Sequence, residues 1–316
     1  MPAIEQGDNP TVNPATETAS PSPTSKTPVT VVVPTLNEAK NLPKCLDHLQ
    51  WADEVVVVDS GSTDGTQDIA RSKGARVIDF RWNGQWPKKR GWTLEHAELK
   101  HPWILFVDAD EWIVADLADE IGAAIRSDAH VAYWINRRFI FMNRWIKHCG
   151  YYPSWNLRLL KRGYGEFERL TDVGDTRSGD NEVHEHILVN GPSGRLTKDM
   201  LHFAFPNIET WVEKHNRYSN WEAIVQHHAR PGDGSVAANK DIAGRRRLKM
   251  LARHLPFRPT LRFIYSYVLR GGFLDGRAGF TLCRLIGIYE FLSVSKLYEL
   301  RHQAETAREF ESPRSA

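Results

Sequence analysis

The sequence predicts an α/β fold: a Rossmann-like, mostly parallel central sheet with helices on both faces. Three observations predict it. Short runs of uninterrupted β-branched and apolar residues recur between residues 29 and 108, segments of helical spacing separate them, and the runs stop on polar or acidic residues. Strands that are apolar at every position belong in a parallel sheet covered on both sides, since a half-exposed strand would alternate.

The elements follow in order. Residues 1–26 are rich in Pro, Thr, Ser and Ala and poor in large apolar side chains. Such a segment cannot bury enough surface to offset its ordering entropy, so a disordered tail is expected. Val29–Val33 reads as the first strand and Glu38–Leu49 as a helix. Glu54–Asp59 is the second strand, followed by a polar turn over 60–66 and a helix to Lys73. Arg76–Phe80 and Trp103–Asp108 are the third and fourth strands, with helices at Pro87–Ala97 and Asp116–Arg126. Past residue 130 the alternation fades. Val131–Asn136 and Asn156–Leu160 read as strands around an aromatic segment, and Asp172–Asp180 as loop. Ile208–His228 has helical spacing, Arg245–His254 reads as a basic helix, and Leu261–Arg270 and Phe280–Leu300 as amphipathic helices.

With 316 residues, 41% of them hydrophobic and 11 of them Trp, the chain can build a substantial core. Three cysteines, far apart and odd in number, indicate no disulfide framework, which favours a reducing compartment. The net charge of +2 hides an asymmetry: from Lys240 to Arg277 ten Lys/Arg face two Asp, a net +8. No secretory leader and no uncharged apolar run of bilayer-spanning length is evident.

The chemistry is concentrated at Val107-Asp108-Ala109-Asp110-Glu111. In extended chain Asp108 and Asp110 project to the same side, and hard oxygen ligands at a strand's C-terminal end suit Mg²⁺ or Mn²⁺. A helix cap is the plainer alternative. Against it stand two further polar strand ends, Thr35-Leu36-Asn37-Glu38 and Asp59-Ser60-Gly61-Ser62, on the same predicted sheet edge. Open α/β sheets bind ligands at that edge, and three such ends offer a nucleotide hydrogen-bonding groups and a cation for its diphosphate. The turn after Asp59 matches neither dinucleotide nor P-loop spacing.

Val-Val-Val-Pro-Thr-Leu-Asn-Glu (31–38), Val-Val-Asp-Ser-Gly-Ser-Thr-Asp-Gly-Thr (57–66) and Val-Asp-Ala-Asp-Glu (107–111) together resemble the family 2 glycosyltransferases of GT-A fold. Trp-Ala-Asp-Glu (51–54), Tyr-Tyr-Pro (151–153), Val-His-Glu (183–185) and Gly-Gly-Phe-Leu-Asp-Gly (271–276) resemble a bacterial subgroup that adds glucose or a related sugar to the lipopolysaccharide inner core. The resemblance implies a GT-A domain over residues 27–205, a helical extension over 206–303 and a second disordered tail over 304–316. It also implies a nucleotide-sugar donor, UDP being the commoner nucleotide, a divalent metal, and a glycan or glycolipid acceptor.

Site roles follow from the same resemblance. Asp59 would accept from the base, with Pro34, Thr35, Asn37, Glu38 and Ser60 lining the base and ribose site. Asp108 and Asp110 would hold ribose and metal, with Ala109 beside them at the nucleotide sugar. A further metal ligand is expected from a His after the catalytic acid; His202 is the candidate, with His184 and His186 competing. An inverting transfer needs a general base for the acceptor hydroxyl. Glu185 fits that role by order, with Glu182 and Asp172 as alternatives. Lys89 and Arg90 would reach the diphosphate or else form a solvated face. Gly150–Trp155 would stack on a sugar ring or pack in the core.

Basic, aromatic-bearing C-terminal helices suit an anionic membrane surface, or else simply close the core. No nucleic-acid recognition module is present, so no such partner is expected. The expected location is cytoplasmic, at the inner membrane face. Two other functions stay open at this level: transfer of sugar to polyprenyl phosphate, and a non-catalytic nucleotide-sugar-binding protein.

Overall fold

The computed structural model describes residues 26–168, 186–228 and 257–311. Four parallel strands form one half of the sheet: β1 (Thr27–Thr35), β2 (Ala52–Asp59), β3 (Arg76–Asp79) and β4 (Trp103–Phe106), in the order β3-β2-β1-β4. Between them run α1 (Leu42–Asp47), α2 (Thr66–Ser72) and α3 (Lys89–His96). Successive strand residues divide between two hydrophobic clusters. Val31, Val33, Val57 and Leu105 pack on one face with Leu42 and Leu46 of α1. Val32, Val56, Val58, Ile104 and Phe106 pack on the other, against Trp92 of α3. Both faces being covered is the physical reason for the unbroken apolar runs.

The second half is mixed. It contains β5 (Glu111–Trp112), α4 (Ala115–Ser127), β6 (Ala132–Phe141), β7 (Arg144–Trp145) and β8 (Trp155–Lys161). Next come β9 (Gly165–Phe167), β10 (Ile187–Val189) and β11 (Ser193–His202). The large sheet continues from β4 as β8-β6-β11-β5, with β7 beside β6; β9 and β10 form a separate ribbon. β8 is antiparallel to β4 and β6, β11 is parallel to β6, and β5 is antiparallel to β11. The expected GT-A architecture is present.

The chain ends in α5 (Ile208–His228), α6 (Arg258–Ile264) and α7 (Gly276–Glu311). A π-turn over Tyr265–Leu269 and a 3-10 turn over Gly272–Asp275 join the last two. These helices share a hydrophobic cluster with the sheet: Phe139, Phe141 and Ile146 pack with Trp211, Leu282 and Ile286.

Several boundaries differ from expectation. α1 starts at Leu42 and not at Glu38, because the backbone of 38–41 turns to meet the neighbouring loop. β11 was not expected: four of its ten residues are buried and one of those is Asp199, leaving Leu196, Met200 and Leu201 as too sparse an apolar signal for a strand. α7 runs to Glu311, past the expected end at residue 303, through Ala304-Glu305-Thr306-Ala307-Arg308-Glu309, which is rich in helix formers. The expected N-terminal tail through residue 25, the loop Asp172–Asp180 and the basic helix Arg245–His254 lie outside the described residues.

Candidate active site

The loops after β1 and β2 are sewn together by the residues of the first two motifs. Thr35 and Asp59 are register partners, and the Thr35 hydroxyl donates to Asp59 Oδ1 at 2.8 Å. Gly61 N and Ser62 N donate to Oδ2 at 3.1 and 2.8 Å, Ser62 Oγ to Oδ1 at 2.5 Å, and Gln67 Nε2 to Oδ2 at 2.8 Å. Burial opposes charge on Asp59, but the Ser62, Gln67 and Thr35 bonds outweigh it and hold the carboxyl below the ordinary range. Asp59 was expected to accept from a nucleotide base. Its side chain is 0% exposed and accepts from Thr35, Gly61, Ser62 and Gln67.

Across this seam, Asn37 takes a left-handed conformation (φ 57°), which Asn tolerates better than most residues. Its N–H donates to Ser62 Oγ at 2.7 Å and its Oδ1 accepts from Thr63 N at 2.9 Å. Glu38 N donates to Thr66 Oγ1 and Ala39 N to Asp64 Oδ2. The stitching leaves Leu36 and Asn37 exposed, with Pro34 and Ser60 half-buried beside them. Lys89, expected at a diphosphate, is 2% exposed and donates to the Thr35 carbonyl at 2.8 Å, tying α3 to the end of β1.

At the end of β4 the two aspartates of the central motif have unlike surroundings. Asp108 Oδ1 pairs with Arg90 Nη2, and its Oδ2 accepts from Arg158 Nη2 at 2.7 Å. Arg158 Nη2 also donates to Glu111 Oε1 at 2.8 Å; Arg137 Nη1 reaches the same oxygen at 3.3 Å, and Glu111 Oε2 accepts from Asp108 N at 2.9 Å. Burial alone would raise Asp108, but Arg158 and Arg90 hold its carboxyl far below the usual range. Asp108 was expected as a metal ligand; here both of its oxygens hold guanidinium groups. Ala109 was expected at the nucleotide, but its methyl group lies in the core beneath the site.

Asp110 has no such partners. Among the described residues its carboxylate accepts no hydrogen bond; His202 Nε2 lies 3.6 Å from Oδ1 and Lys214 Nζ 3.9 Å from Oδ2. Burial raises its pKa, His202 offsets this in part, and Asp108 adds to it. Burial lowers His202 despite Asp110 beside it, so the imidazole stays neutral, the form that ligates a metal. Burial likewise raises Glu38, with Asp110 and Asp108 contributing. His202 arrives here because β11 pairs with β5, His202 opposite Glu111, while Phe203 N donates to Asp110 O at 2.8 Å.

An under-coordinated, half-buried carboxylate beside a neutral imidazole is a donor set that fits a divalent cation. Among the described residues no group of three or more His, Cys, Asp and Glu completes a cage. A cation held by Asp110 and His202 would therefore take its remaining ligands from water and a donor diphosphate, as Mg²⁺ commonly does. The competing His186 sits on the β9–β10 ribbon, 3.4 Å from Glu168 Oε2. Glu185, expected as the base, and His184, Glu182 and Asp172 lie outside the described residues.

The Gly150–Trp155 segment forms the neighbouring wall. Tyr151 stacks on Phe139 at 4.7 Å, and Phe139 lies 5.9 Å from His202. Burial pushes the Tyr151 hydroxyl up to about 12. Tyr152 donates to Asp199 Oδ2 at 3.1 Å and packs edge-on against Trp145. Arg138 and Lys147 both lie 4.7 Å from the Trp145 ring centroid.

Residues 30–188 match the family described as Glycosyl transferase family 2. The chain belongs to that family. The lipopolysaccharide core biosynthesis glycosyltransferase LpsC of Rhizobium meliloti (strain 1021) is 30% identical over 88% of this chain and 94% of its own length. An uncharacterized glycosyltransferase of Rickettsia bellii (strain RML369-C) is 26% identical over 88% of this chain and 89% of its own. A crystal structure of S. aureus TarS 1-349 superposes with a TM-score of 0.39 at 18% identity, covering 82% of this chain and 89% of that one. The family match and the Rhizobium relative make the chain a glycosyltransferase.

Three residues of this glycosyltransferase's site had not been singled out from the sequence, Arg137, Arg158 and Lys214, and Glu111 had been quoted in its motif without a role. Arg158 left one visible signal, a lone cation inside the apolar run Leu157–Leu160. Buried at 5% exposure, it demanded a carboxylate partner.

Proposed function

We propose that this glycosyltransferase moves a hexose, glucose first among candidates, from a nucleotide-sugar donor to a lipid-linked saccharide of the lipopolysaccharide inner-core kind. Transfer proceeds with inversion. The observation that carries the reading is the Asp110–His202 pair, a half-buried carboxylate without a hydrogen bond among the described residues, facing a neutral imidazole. The name of the Rhizobium relative supports the choice of acceptor.

The base and ribose lie along Pro34, Leu36, Asn37 and Ser60, a rim kept in shape by Asp59 from below. UDP is the preferred nucleotide. Arg90 stands beside Asp108 and supplies positive charge where the departing diphosphate gathers negative charge. Asp110 and His202 hold the divalent cation, which when bound neutralises the diphosphate as a Lewis acid. Glu185 takes the proton from the acceptor hydroxyl as that oxygen attacks the anomeric carbon.

The test incubates the protein with UDP-glucose, Mn²⁺ and core-truncated lipopolysaccharide, and reads the product's anomeric configuration by NMR. Expected is transfer with inversion that stops on chelation and in Asp110→Asn. Transfer indifferent to both, or with retention, defeats the reading.

A further inference from the structure

Helix α6 turns one apolar side chain, Phe263, to the core and leaves a second apolar face in solvent. A surface helix ordinarily turns its apolar stripe to the core and its charges to water. Here no residue of α6 is buried; Phe263 and, in the turn after it, Tyr267 pack against the core cluster, while Phe257, Leu261, Ile264, Tyr265 and Val268 face solvent, from 42% to 81% exposed. The two arginines of the helix also lie against the protein. Arg258 is 13% exposed and pairs with Glu290 of α7 at 2.7 Å, while Arg262 has a buried Nε and lies over the Tyr265 ring.

The exposed apolar surface continues through the turn into α7. Leu269, Phe273 and Leu274 at the hairpin tip are 72%, 51% and 55% exposed, and Phe280, Ile288 and Phe291 stand on the outer side of α7. Twelve of the eighteen large apolar side chains exposed among the described residues lie between Phe257 and Tyr298. A concentration of this size marks a surface that is covered in use.

Charge selects the occupant. Between residues 257 and 291 the only acids are Asp275, which is 1% exposed, and Glu290, which is paired with Arg258. Arg270, Arg277 and Arg284 are exposed around the apolar surface. The sequence leading into it reads Arg245-Arg246-Arg247-Leu248-Lys249, outside the described residues. Exposed Phe, Leu and Tyr ringed by Arg suit the headgroup and acyl boundary of an anionic bilayer.

The surface also adjoins the active site. Cys149 N donates to Arg270 O at 3.1 Å, and His148 Nδ1 lies 2.9 Å from Asp275 Oδ1. From there Tyr151 and Phe139 lead to His202. By length and composition the stretch Gly272–Gln303 could cross a membrane, but 39% of its apolar window is buried inside the protein. Leu282, Cys283 and Ile286 of that stretch pack with Trp211 and Phe139, so crossing would tear open a core that the fold uses.

We infer that the α6–α7 hairpin is a docking surface for an anionic phospholipid bilayer, lying on it with the tip at Leu269–Leu274 inserted. The inference deepens the reading of a lipid-linked acceptor. Vesicle binding is measured without donor or acceptor, so its failure leaves sugar transfer standing, and the failure of sugar transfer leaves it standing. The experiment floats the full-length protein with vesicles of phosphatidylcholine alone or mixed with phosphatidylglycerol. It is repeated at high salt and with Leu261→Ser/Val268→Ser/Leu269→Ser. Nucleotide-sugar binding by the variant checks that it folds, and light scattering gives the oligomeric state. Expected are binding to the anionic vesicles, weakening with salt, and a partition at least about tenfold lower in the variant. The proposal is overturned by wild-type protein that stays unbound or binds both vesicles alike, or by a variant that binds as well as wild type. It is equally overturned by a wild-type dimer that the triple substitution dissociates, since a second copy would then be the occupant.

Discussion

Asp110 Oδ1 stands 3.6 Å from His202 Nε2, with no hydrogen bond between them and with the surrounding burial pushing both groups toward their neutral forms. A raised folded-state pKa on Asp110 contributes stability that is complete below the unfolded value of 3.8 and is lost as pH rises through the folded value. At neutral pH the ionised carboxylate therefore works against the fold. Asp110→Asn should stabilise the metal-free protein by on the order of 1 kcal/mol, raising Tm by about 2 °C, while abolishing Mn²⁺-supported donor binding. Scanning calorimetry and titration calorimetry on the same sample check both halves. A lower Tm with intact metal binding would remove Asp110 from the site.

The same directions give a pH dependence. Below its raised pKa Asp110 takes a proton and ceases to be a ligand, while the lowered pKa of His202 keeps the imidazole available to more acidic solution than usual. Metal-supported donor binding should fall as pH is lowered, starting above the ordinary aspartate value and losing about tenfold per pH unit. The measurement is donor affinity against pH at saturating Mn²⁺. In His202→Gln, the acid limb from Asp110 should persist on a weaker baseline. Disappearance of that limb would assign it to His202.

How much of this was legible follows from where signal sits in a chain. β1, β2 and β4 were readable because both of their faces are buried, so every position is apolar. β11 was not, because six of its ten residues are not buried and one of the buried four, Asp199, is charged. With it went the pairing that carries His202 to Asp110, although the triplet Leu201-His202-Phe203 marked the residue itself. The Asp108–Asp110 pair was visible, but not its division of labour, since that depends on Arg158 arriving from β8, fifty residues away. The sequence alone does not show that Lys89 and Asp59 are buried, at 2% and 0% exposure, against the loop after β1.

Arg158 carries the next prediction. It is 7% exposed at its side chain and bridges Asp108 and Glu111, the latter 0% exposed. Arg158→Met keeps the volume but strands a buried carboxylate, which costs about 3–5 kcal/mol when one partner of such a pair is removed. Urea unfolding should show that loss. The double variant Arg158→Met/Glu111→Gln should recover part of it, because the remaining group is then uncharged. A single variant as stable as wild type would mean that Arg137 alone satisfies Glu111.

Glu185 separates two chemistries. A sugar hydroxyl must lose a proton as it attacks, so a base within reach contributes about 10²–10⁴-fold to turnover. A polyprenyl phosphate acceptor is already ionised and needs none. Glu185→Gln should therefore lower kcat with a saccharide acceptor by about 10²-fold or more. Donor affinity should stay unchanged, because the Asp110–His202 pair and the rim at Pro34–Asn37 are untouched. Initial rates at saturating donor, together with donor titration by calorimetry, check both statements. If kcat is preserved with the saccharide, Glu182 and Asp172 are the next carboxylates to replace. If the variant instead keeps full activity toward polyprenyl phosphate while wild type ignores the saccharide, the acceptor carries its own negative charge and the inner-core assignment falls.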